Sequence, residues 1–279
     1  DANTATGYGA LYSNTTGTRN IAIGRGAYDL ADTEDDNLAI GYDALGGSIN
    51  GGEFNVAIGN YSLGVNTSGD YNTAVGYNTL TANTTGGYNT AMGVQALYAN
   101  TTGTAITAMG HQALSANTTG DYNTASGYQA LQANTTGTYN TAMGPYALKT
   151  NINGNNNAAS GYRALLSNTT GDQNSAMGMN ALQGNTGGND NTSLGYTAGD
   201  IITTGSNNVV LGSGSDPSAN SASNQIVIGY GASGQADNSV TLGNADVTAI
   251  YMSQDKGATV YAAALGFGST AMTLPTDDG

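Results

Sequence analysis

Glycine recurs every seventeen residues along most of this 279-residue chain. One step in the series, from Gly41 to Gly59, is a residue longer. A short fixed period of this kind is typical of stacked coils, in which each repeat packs on its two neighbours. Such an array offers a long, repetitive surface and favours a structural or binding role over catalysis. The recurring glycines are Gly7, Gly24, Gly41, Gly59, Gly76, Gly93, Gly110, Gly127, Gly144, Gly161, Gly178, Gly195, Gly212 and Gly229.

Each repeat starts with a short segment whose residues alternate in character. After Asn89, for example, Thr90 and Met92 flank Ala91. Alternation with period two places Thr and Met on one face of a strand and Ala on the other. Gly93 then ends the strand, because glycine can take a positive φ or let another backbone approach closely.

The rest of each repeat predicts a corner, a second strand and a loop. Residues 127–131, Gly-Tyr-Gln-Ala-Leu, represent the second segment, and an Asn-Thr-Thr-Gly cluster follows it with the chemistry of a turn. Glycine contributes 43 of 279 residues, and turns return before a helix of normal length could form. We therefore expect an all-β fold, a parallel β-solenoid or β-roll with 17-residue coils stacked about 4.8 Å apart over roughly 70 Å.

Charge and composition exclude several classes of partner. The chain has 5 Lys and Arg against 19 Asp and Glu, a formal net charge of −14, and no Cys. Without a basic patch we expect neither nucleic acid nor an anionic membrane surface as a partner. The absence of cysteine rules out disulfides and thiolate metal sites, and no apolar run is long enough for membrane insertion. We expect no cofactor.

A seventeen-residue coil encloses a thin core, so a single copy buries little apolar area per residue. Association of several copies along their lengths would supply the missing burial. We prefer a homotrimer, although the spacing leaves the copy number open.

The repeat pattern changes toward the end of the chain. The Asn-Thr-Thr-Gly loop is lost from Gly195, and the related motifs at Asn224 and Asn238 are only fourteen residues apart. We predict a repeat array over residues 1–245, with shorter capping coils from about residue 213. Residues 246–279 are predicted to form extended strands and a linker. Because the chain opens inside a repeat, we expect it to be a segment of a longer protein.

Two groups of residues are candidates for binding. The acidic loop holds Asp32, Glu34, Asp35 and Asp36, a weak candidate for a divalent cation and otherwise a solvated loop. Tyr77, Tyr128 and Tyr162 belong to a tyrosine rank that could stack against a glycan. We favour the alternative, in which these rings pack on each other or at a subunit seam. The one histidine, His111, occupies the same rank, and we expect no catalytic role for it.

The coils resemble the head repeats of trimeric autotransporter adhesins (the YadA-like type). The best matches are residues 20–24, Asn-Ile-Ala-Ile-Gly, and residues 55–59, Asn-Val-Ala-Ile-Gly. The longer unit with Asn-Thr-Thr-Gly is similar to repeats in bacteriophage tail-fibre proteins. The closing stretch, from Gln225, resembles the segment before a C-terminal intramolecular chaperone domain, which we expect these residues to lack. The resemblance implies a left-handed roll in an intertwined trimer, although adhesin coils have about fourteen residues.

The combined expectation is a structural fibre or adhesin, not an enzyme. It would form a rigid rod of a phage tail fibre or of a bacterial cell-surface appendage, be extracellular, and attach to a host-surface glycan or protein receptor. Two alternatives stay open. One is a self-polymerising extracellular filament that joins through its open strand edges. The other is an ice-binding or surface-binding solenoid that uses one regular threonine rank, formed by Thr73, Thr90, Thr107, Thr124 and Thr141.

Overall fold

The structure is a computed structural model that describes residues 2–48 and 50–248. The chain divides into a first compact unit, residues 1–244, and a second unit that begins at Ala245. Most of the strand and linker region predicted for residues 246–279 lies outside the described residues. The first unit is the repeat array.

The array is a parallel β-solenoid of about seventeen residues per coil, which confirms the predicted fold class. Fifteen short strands form one parallel sheet in chain order, so each strand pairs with the strands of the coils before and after it. The strands are β1 (Thr4–Thr6), β2 (Ile21–Ile23), β3 (Leu38–Ile40), β4 (Val56–Ile58), β5 (Thr73–Val75), β6 (Thr90–Met92), β7 (Thr107–Met109), β8 (Thr124–Ser126), β9 (Thr141–Met143), β10 (Ala158–Ser160), β11 (Ser175–Met177), β12 (Thr192–Leu194), β13 (Val209–Leu211), β14 (Ile226–Ile228) and β15 (Val240–Leu242).

The core lies inside the coils and is built from aligned columns. The middle residue of each strand from β2 to β14 is buried, and its two neighbours in the strand point outward. The predicted alternation between the two faces is confirmed, and the structure adds that the alanine face is the inner one. In-register pairing aligns equivalent positions of successive coils, so that Ala108 pairs with Ala125 in the buried column and Met109 with Ser126 outside it. A second buried column of leucines completes the apolar core: Leu45, Leu63, Leu80, Leu97, Leu114, Leu131, Leu148, Leu165 and Leu182.

The predicted second strand is wrong. Residues 127–131 form consecutive turns, because Gln129 and Leu131 both take left-handed backbone conformations with φ of 53° and 51°. The Ala130 N–H donates to the Gly127 carbonyl at 3.3 Å. The Leu131 N–H donates to the Ala147 carbonyl of the next coil at 3.0 Å, so the turns still bond coil to coil. Left-handed leucine is rare, and the ranked side chains of neighbouring coils hold it in place here.

The recurring glycines form a corner column that no other residue fits. Their φ values lie between 124° and 141°, a range that L side chains rarely adopt. A Cβ on Gly110 would lie 2.5 Å from the carbonyl oxygen of Gly127 in the next coil. Both properties predicted for these glycines, positive φ and close backbone approach, are therefore confirmed.

Buried asparagine side chains form hydrogen bonds that link each coil to the next. In the strand Asn column, the residue before each strand turns its side chain inward, and its Oδ1 accepts the backbone N–H of the equivalent residue one coil later. Asn55 Oδ1 accepts the Asn72 N–H at 2.9 Å, and Asn72 Nδ2 donates to the Gly86 carbonyl at 2.9 Å. The column members are Asn20, Asn37, Asn55, Asn72, Asn89, Asn123, Asn140, Asn157, Asn174, Asn191 and Asn208.

A second asparagine column, the loop Asn column, runs through the Asn-Thr-Thr-Gly loops. From Asn83 onward, each side-chain Nδ2 donates to the Oδ1 of the previous coil, as in Asn134 to Asn117 at 2.8 Å, and to the carbonyl of the glycine three residues on. The sequence predicts turn chemistry for these loops, and the structure adds that the asparagine side chains are fully buried and form a continuous amide ladder. The column members are Asn66, Asn83, Asn100, Asn117, Asn134, Asn151, Asn168 and Asn185.

Candidate functional site

The first and third residues of every strand form one continuous outer surface, the strand face. Across β1 to β15 this surface contains no Asp, Glu, Lys or Arg, although the chain has a net charge of −14. Its third position is mostly Ile, Val, Met or Leu, and these side chains are exposed or half-buried: Met143 is 54% and Met177 58% accessible. Exposed apolar side chains that recur on most strands of one face are typical of an interaction site in soluble proteins.

The strand face is grooved where its side chains are small. Ser160 of β10 lies between Met143 of β9 and Met177 of β11, and Ala158 is the first residue of the same strand. The resulting groove has a volume of about 480 Å³ and extends to Leu211. Alternating long and short side chains give this part of the face the relief that another packed surface needs.

The acidic loop does not assemble the cation site that was weakly predicted. The Asp32 carboxylate accepts a hydrogen bond from the Thr15 hydroxyl. Glu34 is buried, and its carboxylate accepts the backbone N–H groups of Asp32, Thr33 and Gly51. Over residues 2–48 and 50–248, no three His, Asp or Glu side chains come together in a way that could hold a metal ion.

The other two acidic side chains of this loop bind Arg19. Asp36 accepts Arg19 Nε at 2.6 Å, and this hydrogen bond lowers the pKa of the Asp36 carboxyl. Asp35 accepts the Thr18 backbone N–H at 2.6 Å, which is the main cause of its lowered pKa, and also lies 3.3 Å from Arg19. These carboxylates therefore fasten one coil to the next.

The tyrosines singled out from the sequence lie in one column but in separate groups. The Tyr128 ring stacks on His111 at 5.2 Å between centroids and meets Tyr146 edge-on at 5.2 Å. Tyr162 meets the other side of Tyr146 at 5.9 Å. Tyr77 makes the same edge contact with Tyr61 at 6.1 Å, three coils away from Tyr128. The rings pack on their neighbours, as favoured above, and the ladder position predicted for His111 is confirmed.

One unusual carboxylate was missed in the sequence. Asp216 takes the place of leucine in the Leu column, since its N–H bonds to the Ala232 carbonyl as the column leucines bond to the next coil. Its Oδ1 is buried and has no hydrogen-bond partner among the described residues. Burial, followed by the charge of Asp200, raises the pKa of Asp216 to about 6. Asp216 lies seventeen residues after Gly199, in the part of the chain where the Asn-Thr-Thr-Gly loop is lost. Counting this period is the sequence signal that could have placed Asp216 in the leucine column.

We expect the replacement of Asp216 by Asn to stabilise the array at neutral pH. A carboxyl whose pKa is about 6 when folded and about 3.9 when unfolded binds its proton more tightly in the folded state, so stability rises as pH falls from 7 toward 4. Asp216→Asn removes this dependence and should add on the order of 1 kcal/mol at pH 7, after allowance for solvent screening of a half-buried group. Urea midpoints of both proteins at pH 7 and pH 5 measure the effect.

Asp237 provides the control of opposite sign. Its carboxylate accepts the Ser223 N–H at 2.8 Å, which lowers the pKa of Asp237. Asp237→Asn should therefore lower stability at pH 7, and the difference from the parent should shrink as pH falls below 4. A parent-to-variant difference for Asp216→Asn that does not change between pH 7 and pH 5 would contradict the assignment.

The described residues include no helix that could cross a membrane. No protein-family model matches the chain, and a search of curated proteins finds no match.

Proposed function

We propose that this chain is the rigid shaft of an extracellular fibre or adhesin, of the phage tail-fibre or bacterial cell-surface type, and that it assembles as a homotrimer through the strand face. The observation that carries the proposal is the strand face of this strongly acidic chain, which is uncharged on all fifteen strands and carries apolar side chains on most of them. The parallel β-solenoid supports it, because stacked coils that bond through backbone and buried asparagines make a stiff element.

Further copies of the same chain are the partners that best fit the strand face. Fourteen steps of about 4.8 Å, with a strand width of about 10 Å, give a footprint of roughly 700 Å² per copy, close to the 800 Å² per partner of a standard stable interface. Parallel copies in register would bring Met against Met and Ile against Ile. The absence of charge on this face avoids repulsion between copies that are each strongly negative. The number three follows the resemblance to trimeric adhesin heads.

The solution mass tests the assembly. A homotrimer has three times the mass of one 27.8 kDa chain, which sedimentation equilibrium or light scattering resolves. Met143→Glu places a charge in the middle of the strand face and should give monomers. Thr119→Glu is the matched control, because Thr119 is exposed on a loop away from the strands, and it should keep the parent mass. A monomeric parent, or a trimer that tolerates Met143→Glu, would refute this assembly.

The two alternative functions give different results in simple assays. A self-polymerising filament would show long fibres by electron microscopy, with a mass that rises with concentration. An ice-binding solenoid would show thermal hysteresis. A flat ice-binding site would more naturally have two parallel rows of threonine on one face. On the strand face the row beside Thr90 and Thr107 holds methionines instead, which disfavours this alternative. A role in attachment would be supported by binding of the purified protein to host cells, and the receptor class would follow from glycan and protein arrays.

A further inference from the structure

A second set of aromatic side chains, the edge aromatic column, lies beside the strand face. Its members directly precede the strand Asn column and stack on one another from coil to coil. Phe54 and Tyr71 have ring centroids 4.9 Å apart and planes inclined by 3°. Tyr71 and Tyr88 are 5.1 Å apart at 12°. Beyond a break, Tyr122 and Tyr139 are 4.9 Å apart at 6°.

The break in this column is a gap the size of one ring. Ala105 occupies the place between Tyr88 and Tyr122, and it is exposed. Two coil steps of about 4.8 Å separate the flanking rings by about 10 Å, which leaves room for one planar group at the spacing of the column itself. Tyr71 and Tyr139 stack on the far sides of the flanking rings and so hold their open faces toward the gap. Tyr88 is 67% accessible against 48% for Tyr71.

The same chain shows what fills a gap of this kind. In the neighbouring column, which follows the corner glycines, Tyr8 and Tyr42 are also two coils apart. The guanidinium of Arg25 lies between them, with its carbon 6.0 Å from the Tyr8 centroid and 5.7 Å from the Tyr42 centroid. A guanidinium is planar and cationic, so it stacks favourably on both ring faces.

Charge favours the same occupant at Ala105. Asp121 lies next to Tyr122 and accepts the Thr104 N–H at 2.7 Å, which places a carboxylate in the coil directly after Ala105. The net charge of −14 attracts cations in general. The three arginines of this chain are already engaged: Arg19 with Asp36, Arg25 with two tyrosines, and Arg163 over Tyr162 at 4.9 Å. The occupant therefore comes from another molecule.

We propose that the gap between Tyr88 and Tyr122 over Ala105 is a binding slot for an arginine side chain of a partner protein. The two ring faces stack on the guanidinium, and the carboxylate of Asp121 favours its charge. This surface is a site in its own right and does not depend on the copy number proposed for the fibre.

A pair of blocked tripeptides tests the slot, one Gly-Arg-Gly and the other Gly-Lys-Gly. Titration into the full chain is followed by NMR at the Ala105 amide and the Tyr88 and Tyr122 ring protons. We expect saturable shifts with the arginine peptide, in the millimolar range that one exposed stacking site allows, and affinity for the lysine peptide lower by about threefold or more.

Three variants locate the binding. Tyr122→Ala removes one face and should weaken arginine-peptide binding about 2–5-fold. Ala105→Arg fills the slot from within, as Arg25 does in the other column, and should abolish the shifts at the flanking rings. Tyr77→Ala is the matched control, because Tyr77 is 48% exposed in the other column, and it should leave the affinity unchanged.

Other outcomes would contradict the proposed arginine-binding slot. Equal binding of the two peptides, equal losses in Tyr77→Ala and Tyr122→Ala, or undiminished binding by Ala105→Arg would show general attraction to an acidic surface. A lower assembly mass for Ala105→Arg would show that the gap is a contact between copies, not a site for a partner. A parent protein of trimeric mass that shows no peptide shifts would refute the slot and leave the proposed fibre intact.

Discussion

Replacing Gly110 with Ala will lower the free energy of unfolding by about 3–5 kcal/mol. Gly110 has a φ of +132°, a conformation that costs a residue with a Cβ about 1–3 kcal/mol. The added Cβ would also lie 2.5 Å from the Gly127 carbonyl oxygen and 2.8 Å from its carbon, and both are backbone atoms. These coils cannot move apart freely, because Thr107–Met109 and Thr124–Ser126 pair in register beside the corner. Urea unfolding followed by circular dichroism measures the loss.

Gly214 separates the two causes of this loss. Its φ of +64° also disfavours a side chain, but a Cβ there would meet no atom within 4 Å. Gly214→Ala should therefore cost only about 1–2 kcal/mol, the usual price of a left-handed alanine. Equal losses in the two variants would mean that backbone conformation alone sets the cost, and that the corner glycines are not needed for close stacking of the coils.

The seventeen-residue period predicted the architecture because one residue in each coil has no substitute. A corner that faces the backbone of the next coil accepts only glycine, so its spacing reports the coil length directly. The turns at the buried leucine column cannot be recognised from the sequence in this way. Leu131 is left-handed although leucine prefers extended or helical backbone, and only the stacked interior supplies the contacts that hold it there. The second strand was predicted wrongly for this reason.

The surfaces were predictable to different degrees. Alternation in the strands separated Met143 and its equivalents from the alanines, but it did not show which of the two faces is the outer one; the tyrosine rank was visible from the period. The partners of the acidic side chains were not, because Asp36 binds Arg19 of the preceding coil, and only a fixed register places the two together. The slot at Ala105 also depends on register, because an alanine becomes a gap only when Tyr88 and Tyr122 stack on either side of it. Asn134 and its equivalents looked like turn formers, since the sequence does not show that the loop turns their amides inward.

Replacing Asn134 with Ala will interrupt the loop Asn column and should cost about 3–5 kcal/mol. Asn134 Nδ2 donates to Asn117 Oδ1 at 2.8 Å, and its Oδ1 accepts Asn151 Nδ2 at 2.8 Å. All three side chains are fully buried, so the substitution leaves Asn117 Oδ1 and one of the two N–H groups of Asn151 Nδ2 without partners, at about 1–3 kcal/mol each, besides a small cavity. Urea unfolding at fixed protein concentration measures the loss, since association would otherwise shift the midpoint.

The end of the same column gives an internal comparison. Asn185 donates to Asn168 Oδ1 at 2.8 Å, but its own Oδ1 is buried without a hydrogen-bond partner in the described array. The next coil has Ile202 at this place. Asn185→Ala leaves one side-chain partner unsatisfied instead of two, and it removes an oxygen that was already unpaired. It should cost no more than about half as much as Asn134→Ala, whereas equal losses would argue that cavity formation dominates over hydrogen bonding.

The converse substitution is possible at Ile106, where an isoleucine interrupts the strand Asn column. In the coils around it, each column oxygen accepts the N–H of the next member, as Asn123 Oδ1 accepts the Asn140 N–H at 2.9 Å. Ile106 has no oxygen to offer Asn123 and no amide to donate to Gly120. A buried Ile→Asn change normally costs several kcal/mol. Here Ile106→Asn restores two hydrogen bonds of the column, which offset the lost apolar burial, and the unfolding free energy should stay within about 1 kcal/mol of the parent. A loss above about 3 kcal/mol would show that apolar packing, and not the amide column, holds this part of the coil.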